Sequence, residues 1–162
     1  MSGVRIGQGV DAHQLVAGRP LWLGGVEIPC ARGLAGHSDG DVLLHAIASA
    51  LLGALGAGDL GSHFPSSDPR WKDAASAALI AAVLDGARAR GFTIGNVDAT
   101  VIAQVPRLAA HREAMVASVA RCLGVEASRV SVKITSTDAL GAIGRGEGIA
   151  AQAVVLLESG GS

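Results

Sequence analysis

The chain of 162 residues has very few aromatic side chains: two Trp, two Phe and no Tyr, 2% of the whole. Proteins that bind nucleic acid usually stack bases on rings or present a basic patch. Here 13 Lys and Arg face 14 Asp and Glu, the formal net charge is −1 and no basic run occurs. No nucleic-acid partner is therefore expected. Cysteine is as scarce. Cys30 and Cys122 stand far apart and match no metal or redox spacing, so they read as reduced packing residues of a cytoplasmic protein. No charged segment precedes an apolar one at the start, so no secretory signal is expected. The longest apolar stretch, Val42 to Leu55, carries His45 and Ser49. It is too short to span a bilayer, and no membrane partner is expected.

What the chain has in quantity is small and apolar: 49% of residues are hydrophobic, with a mean hydropathy of +0.42. The core must come from Ala, Val, Leu and Ile, and small side chains each bury little area. Such a chain is expected to complete its core by pairing with copies of itself. The length predicts a single domain over 1–162.

Val4 to His13 reads as a strand, with Gly7 and Gly9 permitting close backbone approach. Leu21 to Ile28 reads as a hairpin whose primed turn is Gly24-Gly25. Ser38, three residues before Asp41, resembles a capping-box start. Leu44, Ile47, Ala48, Leu51, Leu52 and Leu55 then form one apolar helical stripe ended by Gly56. Further helices are expected from about Lys72 to Arg90 and from Arg107 to Leu123, each stopped by glycine. Strands are expected over Asn96–Gln104, Val130–Thr137 and Ile149–Leu157, with a frayed tail after Glu158. The expected fold class is α+β: a mixed four-stranded sheet, helices on one face, and a small hairpin.

Four of the five histidines lie in the first 63 residues. On a strand, residues two apart point the same way, so Asp11 and His13 set a carboxylate beside an imidazole. His45 shares a helix face with Asp41 and Ser49. Two His and one Asp form a common three-donor set for catalytic zinc. Spacing alone equally allows a surface strand pair and an unrelated helical His. Gly36-His37-Ser38-Asp39-Gly40-Asp41 sits at a helix start, where free N–H groups attract phosphate; an ordinary capped loop is the alternative. Thr135-Ser136-Thr137-Asp138 places hydroxyls and a carboxylate together. Such a set suits phosphate with Mg²⁺, or else merely ends a strand in a turn. Gly141-x-x-Gly144-Arg145-Gly146-Glu147-Gly148 leads into a strand and fits no nucleotide fingerprint, so a tight turn is expected.

Asp11-Ala12-His13, His37-Ser38-Asp39-Gly40-Asp41-Val42-Leu43-Leu44-His45-Ala46, Gly58-Asp59-Leu60-Gly61, Phe64-Pro65 and Gly144-Arg145-Gly146-Glu147-Gly148 follow a known order and spacing. In these motifs, and from about Val4 to Leu157, the chain resembles the 2-C-methyl-D-erythritol 2,4-cyclodiphosphate synthase family of the non-mevalonate isoprenoid pathway. The resemblance implies a phosphorus-oxygen lyase that converts 4-diphosphocytidyl-2-C-methyl-D-erythritol 2-phosphate to the cyclic diphosphate and CMP. It implies a homotrimer with active sites between subunits, and an isoprenoid diphosphate as a candidate ligand of the trimer axis. Asp11, His13 and His45 would hold one Zn²⁺ per subunit, and Asp138 would hold Mg²⁺ or Mn²⁺ on the substrate. His37 and Ser136 would stabilise transition-state charge and Ser38 would touch a phosphate. Asp59 and Gly61 would contact the ribose, with Phe64 and Asp68 nearby. Ala103, Pro106, Arg107, Leu108 and Ala109 would form the cytidine pocket, and Thr135 and Thr137 would also bind substrate. Ala142 and Arg145 would lie toward the trimer axis.

Five positions depart from the family's usual residues. Ser49 replaces an Asp one turn after His45, which puts a partner of the metal ligand in doubt. Ser136 replaces Thr, Asp138 replaces Glu, Ala142 replaces an aromatic, and Arg107 replaces Lys. None removes an expected zinc ligand. Two other activities remain as alternatives: a metal-dependent phosphodiesterase, and a non-catalytic protein binding a nucleotide or isoprenoid phosphate around a structural metal.

Overall fold

The computed structural model describes residues 3–160. Strand β1 (Val4–Ala17) opens the chain, followed by β2 (Leu21–Leu23), β3 (Val26–Ile28) and β4 (Arg32–Leu34). Helix α1 (Val42–Leu55), a single turn α2 (Leu60–His63) and α3 (Ser76–Ala89) come next. The chain continues through β5 (Phe92–Ile102), α4 (Arg112–Leu123), β6 (Val130–Thr135), the single turn α5 (Gly141–Gly144) and β7 (Gly148–Ser159). The main sheet has five strands in the order β4-β1-β7-β5-β6, with β2 and β3 forming a separate hairpin. Only β5 and β6 run parallel; β1 pairs antiparallel with β4 and with β7.

The sheet thus has one strand more than the four expected. The fifth, β4, is three residues long and pairs with Leu15–Ala17, the part of β1 beyond His13. Three residues give no readable period. Helical boundaries shift for local reasons as well. Asp41, not Ser38, caps α1: its carboxylate accepts from Leu44 N at 3.0 Å. Asp73 has φ 56°, which interrupts the expected 72–90 helix, so α3 starts only at Ser76 after a 3-10 turn at Pro69–Trp71. A 3-10 turn at Ala109–His111 likewise precedes α4. Strand β6 stops at Thr135 because Asp138 and Ala139 adopt left-handed φ values of 51° and 64°. The glycine-rich connection is the helical turn α5 rather than a bare tight turn. Strand β7 runs on to Ser159, whose N–H bonds Gly3 O at 2.8 Å, so the tail is paired past Glu158. Its last two residues lie outside the described ones.

Helix α1 is buried almost all round, beyond the single stripe that its leucines trace: Val42, Leu43, Ala46, Ala50 and Ala54 are buried too. A helix apolar on all sides belongs in the middle of a core. Asp41 ties that helix to the hairpin. Its two carboxylate oxygens accept Gly24 N at 2.9 Å and Gly25 N at 2.7 Å. Both glycines have positive φ, as a primed turn demands. Burial pushes the Asp41 carboxyl up, against the pull of the N–H groups of Leu44, Gly25 and Gly24.

Helices α1, α3 and α4 cover one face of the sheet over a core of Ala, Val, Leu and Ile. The other face leaves Ile6 68%, Val10 60% and Val154 40% exposed. Among the described residues, no helix is long and apolar enough to cross a membrane. Cys30 is exposed rather than packed, while Cys122 is half-buried; both are free thiols.

Candidate metal centre

The metal-binding cluster depends on how closely α1 lies on β1. A Cβ added at Gly7 would stand 1.8 Å from Ala50 O, and one at Gly9 2.2 Å from Ala46 O. Both glycines are therefore required for the helix backbone to rest on the strand. Two residues further along β1 stands Asp11, and immediately before Ala46 on α1 stands His45. The packing that joins Gly9 to Ala46 thus continues into the polar pair. Alternation along β1 brings His13 to the same side.

The three donors converge. His13 Nε2 lies 2.7 Å from Asp11 Oδ2, His45 Nδ1 lies 3.0 Å from the same oxygen, and the two ring nitrogens are 3.2 Å apart. Tetrahedral zinc with bonds of about 2.0–2.1 Å needs donor edges of roughly 3.3 Å. The observed triangle fits that need with slight opening, and the N,N,O donor chemistry suits zinc. Among the described residues it is the one group of three His, Cys, Asp or Glu side chains so placed. The side chains are 12–26% exposed, so each has one edge toward the exterior.

Electrostatics favour the ionised carboxylate in the cluster. Partial burial pushes the Asp11 carboxyl up, but hydrogen bonds and charge from His13 and His45 outweigh it. The group stays well below the usual carboxylate range. Asp11 in turn raises the His13 imidazole against the opposing effect of burial, and a backbone hydrogen bond at Ala35 adds to the rise.

The cluster opens into a cavity of about 240 Å³ lined by Asp11, His13, His37, Ser38, His45, Leu60, Gly61, Phe64, Trp71 and Leu79. Phe64 packs edge-on against Trp71, with centroids 4.7 Å apart, and the two rings wall one side. His37 is exposed at this cavity, and its carbonyl accepts Asp73 N at 2.9 Å. Arg19 pins the same loop by donating to Gly36 O at 3.0 Å and Ser38 O at 2.6 Å. Asp59 caps α2 and accepts from Ser62 N and Oγ at 2.9 and 2.6 Å. Asp68 pairs with Arg70.

The remaining expected site residues gather elsewhere. Ala103 N donates to Thr135 O at 2.9 Å, and Ala139 N donates to Gln104 Oε1 at 3.0 Å. The 103–109 loop and the 135–139 loop are therefore neighbours. Ser136 Oγ donates to Asp138 Oδ1 at 3.1 Å. Ala103 and Leu108 are buried, whereas Arg107 and Ala109 are exposed and Pro106 and Thr137 are half-buried. Ala142 lines a second, more open cavity with Ala12, His13, Gln14 and Glu147, so that His13 borders both cavities, and Arg145 Nε donates to Glu147 Oε1 at 2.6 Å. Register explains the division. Asp11, Ala151, Val101 and Ile134 form one row across the sheet, while Ala12, Ala150, Ile102 and Thr135 form the next. Adjacent rows point to opposite faces. Asp11 looks to the helices and Thr135 to the uncovered side.

Sequence reasoning missed Ser76 and read Asp39 only as part of the 36–41 loop, not as a neighbour of Ser76. Ser49, whose place in the family's pattern is an Asp and which left a partner of His45 in doubt, lies against Gly9. The ring nitrogen of His45 that faces away from the cluster meets Ser76 Oγ at 2.9 Å and Ser38 Oγ at 3.1 Å. No periodicity links His45 to a residue 31 positions away; only the tertiary fold does.

An α+β fold with a five-stranded sheet and this donor triangle lining a cavity defines a protein with a three-donor site able to hold a metal ion. The family model described as the YgbB family matches residues 4–158, and the chain belongs to that family. A relative from Geobacillus kaustophilus, named 2-C-methyl-D-erythritol 2,4-cyclodiphosphate synthase, is 62% identical over 154 residues, 95% of this chain and 98% of its own. IspF of Plasmodium falciparum, solved as a CDP complex, superposes with a TM-score of 0.86 at 35% identity, covering 98% of each chain. The bifunctional IspDF of Campylobacter jejuni superposes with a TM-score of 0.94 at 41% identity; 99% of this chain matches 43% of that longer one.

Proposed function

We propose that this chain catalyses the reaction for which its relatives are named, forming 2-C-methyl-D-erythritol 2,4-cyclodiphosphate. The substrate is 4-diphosphocytidyl-2-C-methyl-D-erythritol 2-phosphate. Its 2-phosphate attacks the nearer phosphorus of the diphosphate, a new P–O–P bond closes the ring, and CMP departs. The observation that carries this reading is the meeting of Asp11, His13 and His45 at the floor of the cavity.

Both reacting groups are anionic, so mutual repulsion opposes their approach. Asp11, His13 and His45 would hold Zn²⁺, which supplies charge neutralisation and Lewis-acid polarisation of a phosphoryl oxygen. His37, at the same cavity, donates to developing phosphate charge. Phe64 and Trp71 exclude water from one side, which favours ring closure over hydrolysis. Gly61 offers a close approach for the ribose, with Asp59 beside it. The second demand is to bring two ends of a flexible molecule together, for which positioning can contribute about 7–11 kcal/mol. Phosphoryl transfer of this kind needs no protein nucleophile.

The nucleotide end falls to the 103–109 and 135–139 loops. Pro106, Arg107 and Ala109 would border the cytidine, Ser136 would stabilise charge, and Asp138 would hold Mg²⁺ or Mn²⁺, which would neutralise diphosphate charge. These loops belong to a different face from the zinc ligands, so the two half-sites meet across a subunit boundary. Exposed Ile6, Val10 and Val154 on the uncovered sheet supply the apolar surface for a homotrimer. Arg145 and Ala142 then lie toward its axis, where an isoprenoid diphosphate is the candidate ligand. The reaction is placed in the cytoplasm. Incubation of the zinc-loaded protein with the cytidyl substrate and Mg²⁺, followed by phosphorus NMR, should show CMP and a cyclic diphosphate in equal amounts. Incorporation of water without ring formation would instead mark a phosphodiesterase.

A further inference from the structure

We propose that Asp39 and Ser76 are positioning residues that fix the tautomer of His45 and so aim its Nδ1 lone pair at the metal. The inference rests on the reading of Asp11, His13 and His45 as metal ligands, and adds two residues to it.

Ser76 is the first residue of α3 and is fully buried. Its hydroxyl has a single proton, and Asp39 claims it: Ser76 Oγ donates to Asp39 Oδ1. The other carboxylate oxygen accepts Ser76 N at 2.8 Å, which also satisfies a free N–H at the start of α3. A carboxylate only accepts, so this direction is fixed. Ser76 Oγ retains only acceptor capacity. The 2.9 Å contact with His45 Nε2 therefore requires the ring nitrogen to donate. With the proton on Nε2, neutral His45 carries its lone pair on Nδ1, the atom that faces Asp11 and His13.

Ser38 agrees with this order. Its oxygen sits 3.1 Å from His45 Nε2 and accepts Gly40 N at 3.3 Å. Ser38 Oγ is thus a second, longer acceptor sharing the one Nε2–H with Ser76, and its own proton is free to point into the cavity it lines. Backbone bonds lock the two segments together: Asp39 N donates to Ala74 O at 3.2 Å and Asp73 N to His37 O at 2.9 Å. The chain Asp39–Ser76–His45 thus supplies the outer hydrogen bond that ligating histidines need. It does so through a serine drawn from a helix that contributes no metal ligand.

The test compares zinc affinity by chelator competition, and the His45 ring protons by nitrogen–proton NMR, in the unaltered protein and in Ser76→Ala, Asp39→Asn, Ser76→Thr and His45→Ala. Ser76→Ala is expected to bind zinc about 10–100-fold more weakly and to lose the single Nε2–H resonance. Ser76→Thr, which retains the hydroxyl, should recover affinity. Asp39→Asn, with one acceptor oxygen left, should fall between them, and it decides alone if Ser76→Ala does not fold. Folded Ser76→Ala and Asp39→Asn proteins with unchanged zinc affinity and an unchanged Nε2–H signal overturn the inference. If His45→Ala also binds zinc as tightly as the unaltered protein, the ligand assignment itself falls, which is a separate failure.

Discussion

The β1–α1 contact and the loops at 103–109 and 135–145 are built on opposite plans. At the first, backbone rests on backbone, and each of the three donors comes from a regular element whose position the core determines. At the second, side chains satisfy one another on the surface: Ser136 with Asp138, and Arg145 with Glu147. The donor cluster is assembled from packed elements of one chain, whereas the loops present polar groups paired among themselves at the surface. Packing precision in a protein is local. This one spends it at the β1–α1 contact, where three donor atoms lie within 3.2 Å of one another.

The contrast is broken most severely by removing a donor. His45→Ala should abolish tight zinc binding and activity, and because the side chain is a polar exception on α1, the fold should survive. Metal analysis and circular dichroism check both statements; a zinc-replete, active variant contradicts the ligand assignment. Gly9→Ala attacks the contact without touching a ligand. The added carbon would meet Ala46 O at 2.2 Å and Ala50 N at 2.6 Å, so helix and strand must separate. Overpacking of this kind costs about 1–3 kcal/mol or more. A lower melting temperature should come with weaker zinc binding, since His45 moves away from Asp11. The smallest effect is expected at the open end. Asp138→Asn should raise the Mg²⁺ concentration needed for half-maximal activity while zinc content stays the same. Loss of zinc from this variant would mean the two metals have been exchanged.

The two ends also differ in how far the amino-acid sequence discloses them. Asp11-x-His13 on a strand has a side-chain period that needs no partner to read. Gly7 and Gly9 announce a close approach without naming what approaches, and α1 proves to be the partner. Asp41 and Ser38 both qualify as helix caps by type, and only the hairpin turn that Asp41 also holds decides between them. Ser76 and β4 were not legible. One acts across 31 residues through tertiary packing, and the other is a three-residue edge strand whose existence depends on β1 extending past His13. That Thr135 falls in the row pointing away from Asp11 was not legible either, because it depends on how β1, β7, β5 and β6 pair.

A subunit-mixing experiment addresses the central claim directly. His45→Ala and the double variant Ser136→Ala, Asp138→Ala should each be inactive alone, one lacking the metal end and the other the nucleotide end. Random assembly of equal amounts into trimers should restore about a quarter of the sites, because that fraction pairs an intact metal end with an intact neighbouring loop. Recovery of activity near that level supports an active site shared between subunits. A mixture that assembles fully yet stays as inactive as its components contradicts it.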